Sequence, residues 1–209
     1  MSVAEALIAF SIAAGLLTLT PGLDTALVLR TAAADGARRA GFAALGVCLG
    51  VVAWGVAVAF GLGSLLLASQ TAFEILKWAG AAYLVWLGLQ MILKPRDRFE
   101  PANGAPAAGL SACACLRRGF LNNLLNPKAG VFYVSFLPQF LPVGVDPGRF
   151  MVLLAVLHAL MGAAWFAVLI GATRPLTGAL KRQGVVRWLD RATGGLFLAF
   201  GARLALERP

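Results

Sequence analysis

Residues 41–65 read GFAALGVCLGVVAWGVAVAFGLGSL, a run that contains no charged side chain. The hydrocarbon core of a bilayer is about 30 Å thick and selects apolar helices of about 20 residues, so this run predicts a transmembrane helix. Only helices and closed barrels satisfy the backbone hydrogen-bonding groups in lipid, and a run this long and continuous is typical of a helix.

The rest of the chain has the same character. Of its 209 residues, 60% are hydrophobic and only 13% are charged, and the mean hydropathy is +0.82. A soluble domain of this length needs more charge to cover its surface. We therefore expect an all-α integral membrane protein with six spans, at 4–29, 41–65, 71–93, 118–141, 149–172 and 187–206.

A single long connection separates the third and fourth spans. Residues 94–117 contain three prolines and Asn103-Gly104, which predicts a flexible linker. The chain is then one membrane domain over 1–209, with a three-helix unit in 1–93 and another in 118–209.

The basic residues predict the orientation. Most of the 18 Lys and Arg residues fall on one side of the spans, in the first loop (Arg30, Arg38, Arg39), the linker (Lys94, Arg96, Arg98, Arg117, Arg118) and the fifth loop (Arg174, Lys181, Arg182, Arg187, Arg191). The opposite side holds only Lys77, Arg149, Arg203 and Arg208. The positive-inside rule places the basic side in the cytoplasm and both termini outside it. The net charge of +9 therefore indicates topology and contact with the lipid bilayer, and not nucleic-acid binding.

The two halves of the chain resemble each other weakly. Thr20-Pro21 corresponds to Asn126-Pro127, and the segment from Lys77 to Leu84 resembles the one from Arg191 to Leu198. Three spans is an odd number, so the second unit enters the membrane from the opposite side, as in the inverted repeats of secondary transporters. The alternative is that helices rich in small residues look alike by chance.

Two prolines interrupt the first and fourth spans. Pro21 and Pro127 each follow a good N-cap residue, so each is predicted to begin a new half-helix and to leave the carbonyl four residues earlier, of Leu17 or Asn123, without its helical donor. Pro21 lies nine residues before Arg30 and Pro127 nine residues after Arg118. Both breaks are therefore expected roughly 13 Å from the cytoplasmic end, near the middle of the bilayer.

Polar residues cluster at these breaks. Asp24 and Lys128 are the clearest charges within the spans, and a buried charge there costs at least about 2.5–3.5 kcal/mol, so it normally marks a pathway or a pair. The alternatives are an ion pair that only fixes packing, or a Lys128 that reaches an interface. Asn122 and Asn123 either line a polar cavity or bridge helices. His158, in the fifth span, either relays protons or hydrogen-bonds a neighbouring helix.

The sequence lacks the residues that several other classes of function require. The three cysteines give no disulfide framework, and Cys113 and Cys115 in a basic loop are too few ligands for a metal. A thiol–disulfide electron carrier needs two intramembrane cysteines, and only Cys48 lies in a span. An ATP-driven pump needs a phosphate-binding glycine-rich loop, and the sequence contains none. We expect no enzyme activity, no catalytic residue, no cofactor and no metal.

These motifs resemble the LysE/RhtB family of bacterial amino-acid exporters. The resemblance rests on Thr20-Pro21-Gly22-Leu23-Asp24, Gly80-Ala81-Ala82-Tyr83-Leu84, Asn126-Pro127-Lys128 and Phe136-Leu137-Pro138-Gln139-Phe140, in the expected order over nearly the whole chain. The family usually has a second proline where this chain has Leu23. The resemblance implies a secondary transporter of the bacterial inner membrane that exports amino acids or close analogues, driven by the proton gradient.

The expected binding and translocation site lies between the two breaks. Its predicted residues are Thr20, Pro21, Gly22, Asp24, Asn122, Asn123, Asn126, Pro127 and Lys128. Asp24 is the expected proton carrier, because burial favours the neutral form of a carboxyl group, and His158 is the second candidate. The open alternatives are export of another small solute or a metal cation on the same scaffold, or the electron carrier. Faces of small residues such as Gly41/Ala44/Gly50 and Gly194/Gly201 pack either within one chain or in a homo-oligomer.

Overall fold

The structure is a computed structural model that describes residues 1–68, 70–95, 110–171 and 182–206. Over these residues it consists of α-helices and one 3₁₀ turn, Leu137–Phe140, without a strand, which confirms the all-α prediction. The helices are α1 (Val3–Leu19), α2 (Leu23–Asp35), α3 (Ala37–Ala68), α4 (Gln70–Leu93), α5 (Ala112–Leu124), α6 (Pro127–Phe136), α7 (Pro147–Gly171) and α8 (Gln183–Leu206). Most of the predicted linker (96–109), together with Arg174, Lys181 and Arg208, lies outside the described residues.

The apolar surface fits a membrane environment. Within the described residues, Ala37–Gly61 and Pro147–Gly171 are each long and apolar enough to cross a bilayer, and α1 with α2 forms a third span if the bent pair is counted as one. Large hydrophobic side chains on these helices are exposed, such as Ile8, Phe60 and Leu160. In water such a surface is unfavourable, whereas lipid covers it at no cost.

The predicted first loop is wrong. Helix α2 continues to Asp35 and α3 begins at Ala37, so Arg30, Arg38 and Arg39 lie in helices and not in a loop. Gly36 alone separates the two helices, with φ of 84°. That left-handed conformation favours glycine and reverses the chain direction within a single residue. The sequence did not reveal this turn, because positive charges mark the end of a membrane span but do not end a helix.

The linker was also predicted too long. Helix α5 begins at Ala112, where the Ser111 hydroxyl accepts a hydrogen bond of 3.2 Å from the Ala114 amide. Cys113 and Cys115 therefore lie in a helix and not in a basic loop, and Cys115 is buried. Helix α8 likewise begins at Gln183, earlier than the predicted span. At α5 the Ser111 cap, not the hydrophobic run, sets the boundary.

Glycines allow the closest helix contacts. A Cβ atom on Gly119 of α5 would lie within 2.0 Å of the Ala43 carbonyl oxygen of α3, and one on Gly46 within 2.0 Å of the Leu116 carbonyl oxygen. In the same way Gly194 of α8 faces Gly88 of α4. A Cβ atom built on Gly88 would lie 2.7 Å from the Gly194 carbonyl oxygen, and one built on Gly194 would lie 2.8 Å from the Gly88 carbonyl oxygen. These small-residue faces therefore pack within the chain, and they bring α3 against α5 and α4 against α8.

Candidate functional site

Two helix junctions form the frame of the site. Helix α1 ends at Leu19, and α2 begins at Leu23 at an angle of 51° to it. Between them Thr20 and Gly22 have extended backbone, and Gly22 is the N-cap of α2. At the second junction α5 ends at Leu124, Asn126 is extended, and Pro127 is the first residue of α6. The first junction thus places Asp24 in the first turn of α2, and the second places Lys128 in the first turn of α6.

The carboxylate of Asp24 joins the two junctions. Its Oδ1 accepts a hydrogen bond of 2.7 Å from the Asn122 amide, and its Oδ2 accepts from Asn123 at 2.9 Å and from Asn126 at 3.3 Å. Three N–H donors on one carboxylate stabilise its charge and fix its orientation. Asn122 and Asn123 therefore both bridge α5 to α2 through Asp24.

Asn126 uses both ends of its side-chain amide. Its nitrogen donates to Asp24, while its Oδ1 accepts from the backbone N–H of Lys128 at 3.1 Å and so caps α6. Because one amide does both, the start of α6 is tied directly to the carboxylate of Asp24. A change at Asp24 is therefore expected to act on the start of α6 through the side chain of Asn126.

The carbonyl of Asn123, which was expected to lack its helical donor, has other hydrogen-bond donors and is not left open for a cation. Pro127 has no N–H to donate, yet this carbonyl accepts from the backbone N–H of Asn126 at 3.0 Å and from the Trp54 indole N–H at 3.4 Å. The side chain of Asn123 is only 2% exposed, and its Oδ1 has no hydrogen-bond partner within the described chain. Gly50 makes room for that oxygen, since a Cβ there would lie 2.8 Å from it.

A cavity of about 80 Å³ lies beside this carboxylate. It is lined by the residues of both junctions and by α3 and α7, and it has room for roughly six water molecules. Of the predicted site residues, Thr20, Gly22, Asp24, Asn123, Asn126 and Lys128 line it, and His158 does so as well. Asn122 contacts Asp24 without lining the cavity. Thr20 donates to the Leu16 carbonyl at 2.7 Å and meets the hydroxyl of Thr193 on α8.

His158 is held at this cavity by two hydroxyl groups. Its Nδ1 lies 2.9 Å from the Tyr133 hydroxyl and its Nε2 lies 3.2 Å from the Thr18 hydroxyl. Thr18 already donates its proton to the Ala14 carbonyl at 2.7 Å, so it accepts from Nε2–H, and Nδ1 accepts from Tyr133. The arrangement fits the neutral ring with its proton on Nε2. It connects α7 to α1 and α6.

A family model matches most of the chain. The model of the LysE type translocator family matches residues 16–208, which include both junctions and every residue of the carboxylate cluster. The chain belongs to the LysE type translocator family. It is accordingly a membrane transport protein. No solved structure matches the chain.

Relatives of this LysE translocator are similar over almost their whole length. An uncharacterized membrane protein of Vibrio cholerae is 31% identical over 96% of this chain and 97% of its own. The leucine efflux protein of Klebsiella pneumoniae is 32% identical over 94% of this chain and 92% of its own. The homoserine/homoserine lactone efflux protein of Salmonella typhi is 32% identical over 96% of both chains. The latter two relatives are thus named as efflux proteins.

Several lining residues of the LysE translocator site were not predicted from the sequence. Thr18, Tyr133, Cys48, Gly162 and Phe166 line the cavity, yet none stands next to a proline or a charge. Tyr133 carries the strongest signal, as one of only two tyrosines in the chain and a polar group in an apolar run. Cys48 and Gly162 carry none, because only the packing of α3 against α7 brings them to the same wall.

A second, larger cavity of about 470 Å³ lies between α3, α4 and α6. It shares Asn126 with the first cavity but contains no charged side chain, and its lining is mostly apolar. The described residues also hold no group of three or more His, Cys, Asp or Glu side chains suited to a metal ion. The charged and oriented groups of this LysE translocator therefore converge on the smaller cavity.

Proposed function

We propose that this protein exports amino acids or close analogues from the bacterial cytoplasm across the inner membrane, by antiport against protons. The single observation that carries the proposal is the Asp24 carboxylate, held by three amides between two helix junctions and lining an internal cavity. The names of the related leucine and homoserine efflux proteins support the same substrate class.

The cavity offers complementary groups to a zwitterion. An α-amino acid needs an acceptor for its ammonium group and a donor for its carboxylate. Asp24 supplies the acceptor, and the Lys128 ammonium, at the positive end of the α6 helix dipole, supplies the donor. Thr20, Pro21, Gly22, Asn122, Asn123, Asn126 and Pro127 then hold these two groups in place at the junctions.

We propose an inverted-repeat architecture behind this site. The chain forms a single membrane domain of six spans, in which α1/α2 and α5/α6 are the broken first spans of two three-helix units. The contacts of α3 with α7 and of α4 with α8 support this, because each joins helices in equivalent positions of the two units. The positive-inside rule favours termini outside the cytoplasm. Alternating access then rocks one unit against the other.

Asp24 is the proposed proton carrier. A protonated carboxyl group keeps fewer acceptor sites, so it holds the amides of Asn122, Asn123 and Asn126 less tightly. Protonation therefore weakens the link between the two junctions, whereas the ionised form with bound ammonium strengthens it. This difference couples proton binding to the relative position of the two units. His158 is the second candidate, through its contacts with Thr18 and Tyr133.

Two other functions remain less favoured. A metal-cation exporter wants clustered soft or anionic ligands, whereas the described residues hold no group of three or more His, Cys, Asp or Glu side chains suited to a metal ion. A thiol–disulfide carrier needs a cysteine pair, whereas Cys48, Cys113 and Cys115 are all free cysteines. A homo-oligomer stays open, since the glycine faces described above do not need one.

Uptake of labelled amino acids into inside-out vesicles tests the proposal. We expect accumulation of one or a few amino acids when a proton gradient is imposed, and its loss in Asp24→Asn. The matched control is Asp146→Asn, because the exposed Asp146 caps α7 through the Arg149 amide and asparagine caps equally well. His158→Gln tests the second candidate. Full coupled uptake by folded Asp24→Asn protein would overturn the role of Asp24, and no uptake of any amino acid by the wild type would overturn the function.

A further inference from the structure

The cavity has a polar side and an apolar side. The polar side comes from the two junctions, where Asp24, Asn123, Asn126 and Lys128 lie. Another wall comes from α3 and α7, which pack against each other. That wall consists of Val47, Cys48, Val51, Ala159, Gly162 and Phe166. It contains no charged side chain, and His158 stands at its edge.

We infer that this α3–α7 wall is the subsite for the substrate side chain, that it takes short uncharged side chains, and that Gly162 and Cys48 set its length. The inference rests on the proposed function, since it assumes that Asp24 and Lys128 hold the α-ammonium and α-carboxylate groups. With those two groups at the junctions, the side chain of an α-amino acid points to the remaining wall.

The chemistry of the wall decides which side chains it accepts. A cationic or anionic side chain would lose its hydration there without gaining a partner of opposite charge, which is unfavourable. An aliphatic side chain loses only its contact with water, and each buried methylene group favours binding. The cavity volume of about 80 Å³ favours a short side chain over an aromatic one.

Gly162 has a specific geometric role in the wall. A Cβ atom built on Gly162 would have the Cys48 Sγ, at 3.8 Å, as its nearest neighbour in the described structure outside its own helix. That distance is an ordinary van der Waals contact, so an added methyl group displaces no protein atom and occupies cavity space instead. Gly162→Ala should therefore shorten the subsite and have little effect on the fold.

The experiment measures uptake of glycine, alanine, valine, leucine, lysine and glutamate by wild type, Gly162→Ala and Cys48→Ala in inside-out vesicles. Wild type is expected to take up the uncharged members at least tenfold better than lysine or glutamate. Gly162→Ala should lower kcat/KM for leucine about tenfold or more relative to alanine, since a methyl group in a tight pocket has an effect of that size. Cys48→Ala should shift the leucine-to-alanine ratio in the opposite direction.

The control is Gly171→Ala on the same helix, where an added Cβ has nothing within 4 Å in the described structure. It should leave the ratio unchanged, and the ratio itself does not depend on how much protein is inserted. If wild type takes up no amino acid, the proposed function fails and this inference fails with it. If wild type takes up amino acids but prefers lysine or glutamate, or if neither variant changes the ratio, only the inference is overturned.

Discussion

The side-chain amide of Asn122 donates a hydrogen bond of 2.7 Å to the carboxylate of Asp24, although 98 positions separate the two residues in the chain. Asn123 and Asn126 donate to the same carboxylate. The acceptor comes from one half of the chain and all three donors from the other, so neither half contains the site by itself. Any movement of one half against the other must change these three bonds.

The first prediction concerns the coupling between these residues. Asn122→Ala removes the shortest of the three bonds to a charged acceptor, a contact worth about 1.5–3 kcal/mol, and should lower kcat/KM for export roughly tenfold to a hundredfold. In an Asp24→Asn background the same change should have almost no further effect, because its acceptor has lost its charge. Because Asp24→Asn is expected to abolish coupled uptake, thermal unfolding of the two single variants and the double variant in detergent measures this interaction. Independent losses of stability that simply add would contradict it. Leu121→Ala, an exposed neighbour on α5, is the control.

The second prediction concerns Gly50. Alanine at this position would place its Cβ 2.8 Å from the Asn123 Oδ1, so the side chain of Asn123 must move and its bond to Asp24 must lengthen. We expect Gly50→Ala to lower export at least tenfold while the protein still inserts into the membrane. Gly41→Ala is the matched control on the same helix, because an added Cβ there meets nothing within 4 Å in the described structure. Equal export by the two variants would show that Asn123 adapts freely.

The sequence predicted the polar centre of this site better than its walls. Asp24, Asn123, Asn126 and Lys128 were predicted because a charge or an amide beside a proline is costly in a membrane and therefore conspicuous. Gly162 and Cys48 were not, because a small apolar residue looks the same whether it lines a cavity or packs against a helix. The carbonyl of Asn123 was expected to lack its helical donor, and only the fold shows that the Trp54 indole N–H donates to it. Helix ends at Gly36 and Ser111 were missed because caps, not hydropathy, determine them.

The third prediction concerns the hydrogen bond between His158 and Thr18. Thr18→Val keeps the shape of the side chain but leaves the Nε2–H of a buried histidine without its acceptor, which costs about 1–3 kcal/mol. We expect a lower unfolding temperature for Thr18→Val in detergent, whereas Thr18→Ser keeps the hydroxyl and should lose much less. Thermal unfolding followed by tryptophan fluorescence compares the two. If the valine variant is as stable as the wild type while the serine variant is not, the methyl group of Thr18 matters and its hydrogen bond to His158 does not.

The last prediction compares two adjacent glycines of α8. Gly194 packs against α4 so closely that a Cβ there would lie 2.8 Å from the Gly88 carbonyl oxygen, whereas a Cβ on Gly195 meets nothing within 4 Å in the described structure. Gly194→Ala should therefore push the two helices apart and destabilise the fold by about 1–3 kcal/mol. Gly195→Ala should be neutral or stabilise it by up to about 1 kcal/mol, because alanine favours a helix more than glycine does. Unfolding temperatures of both variants in the same detergent test this difference. Equal loss in both would mean that α4 and α8 do not meet at Gly194, and the glycine contact between the two halves would then have to be abandoned.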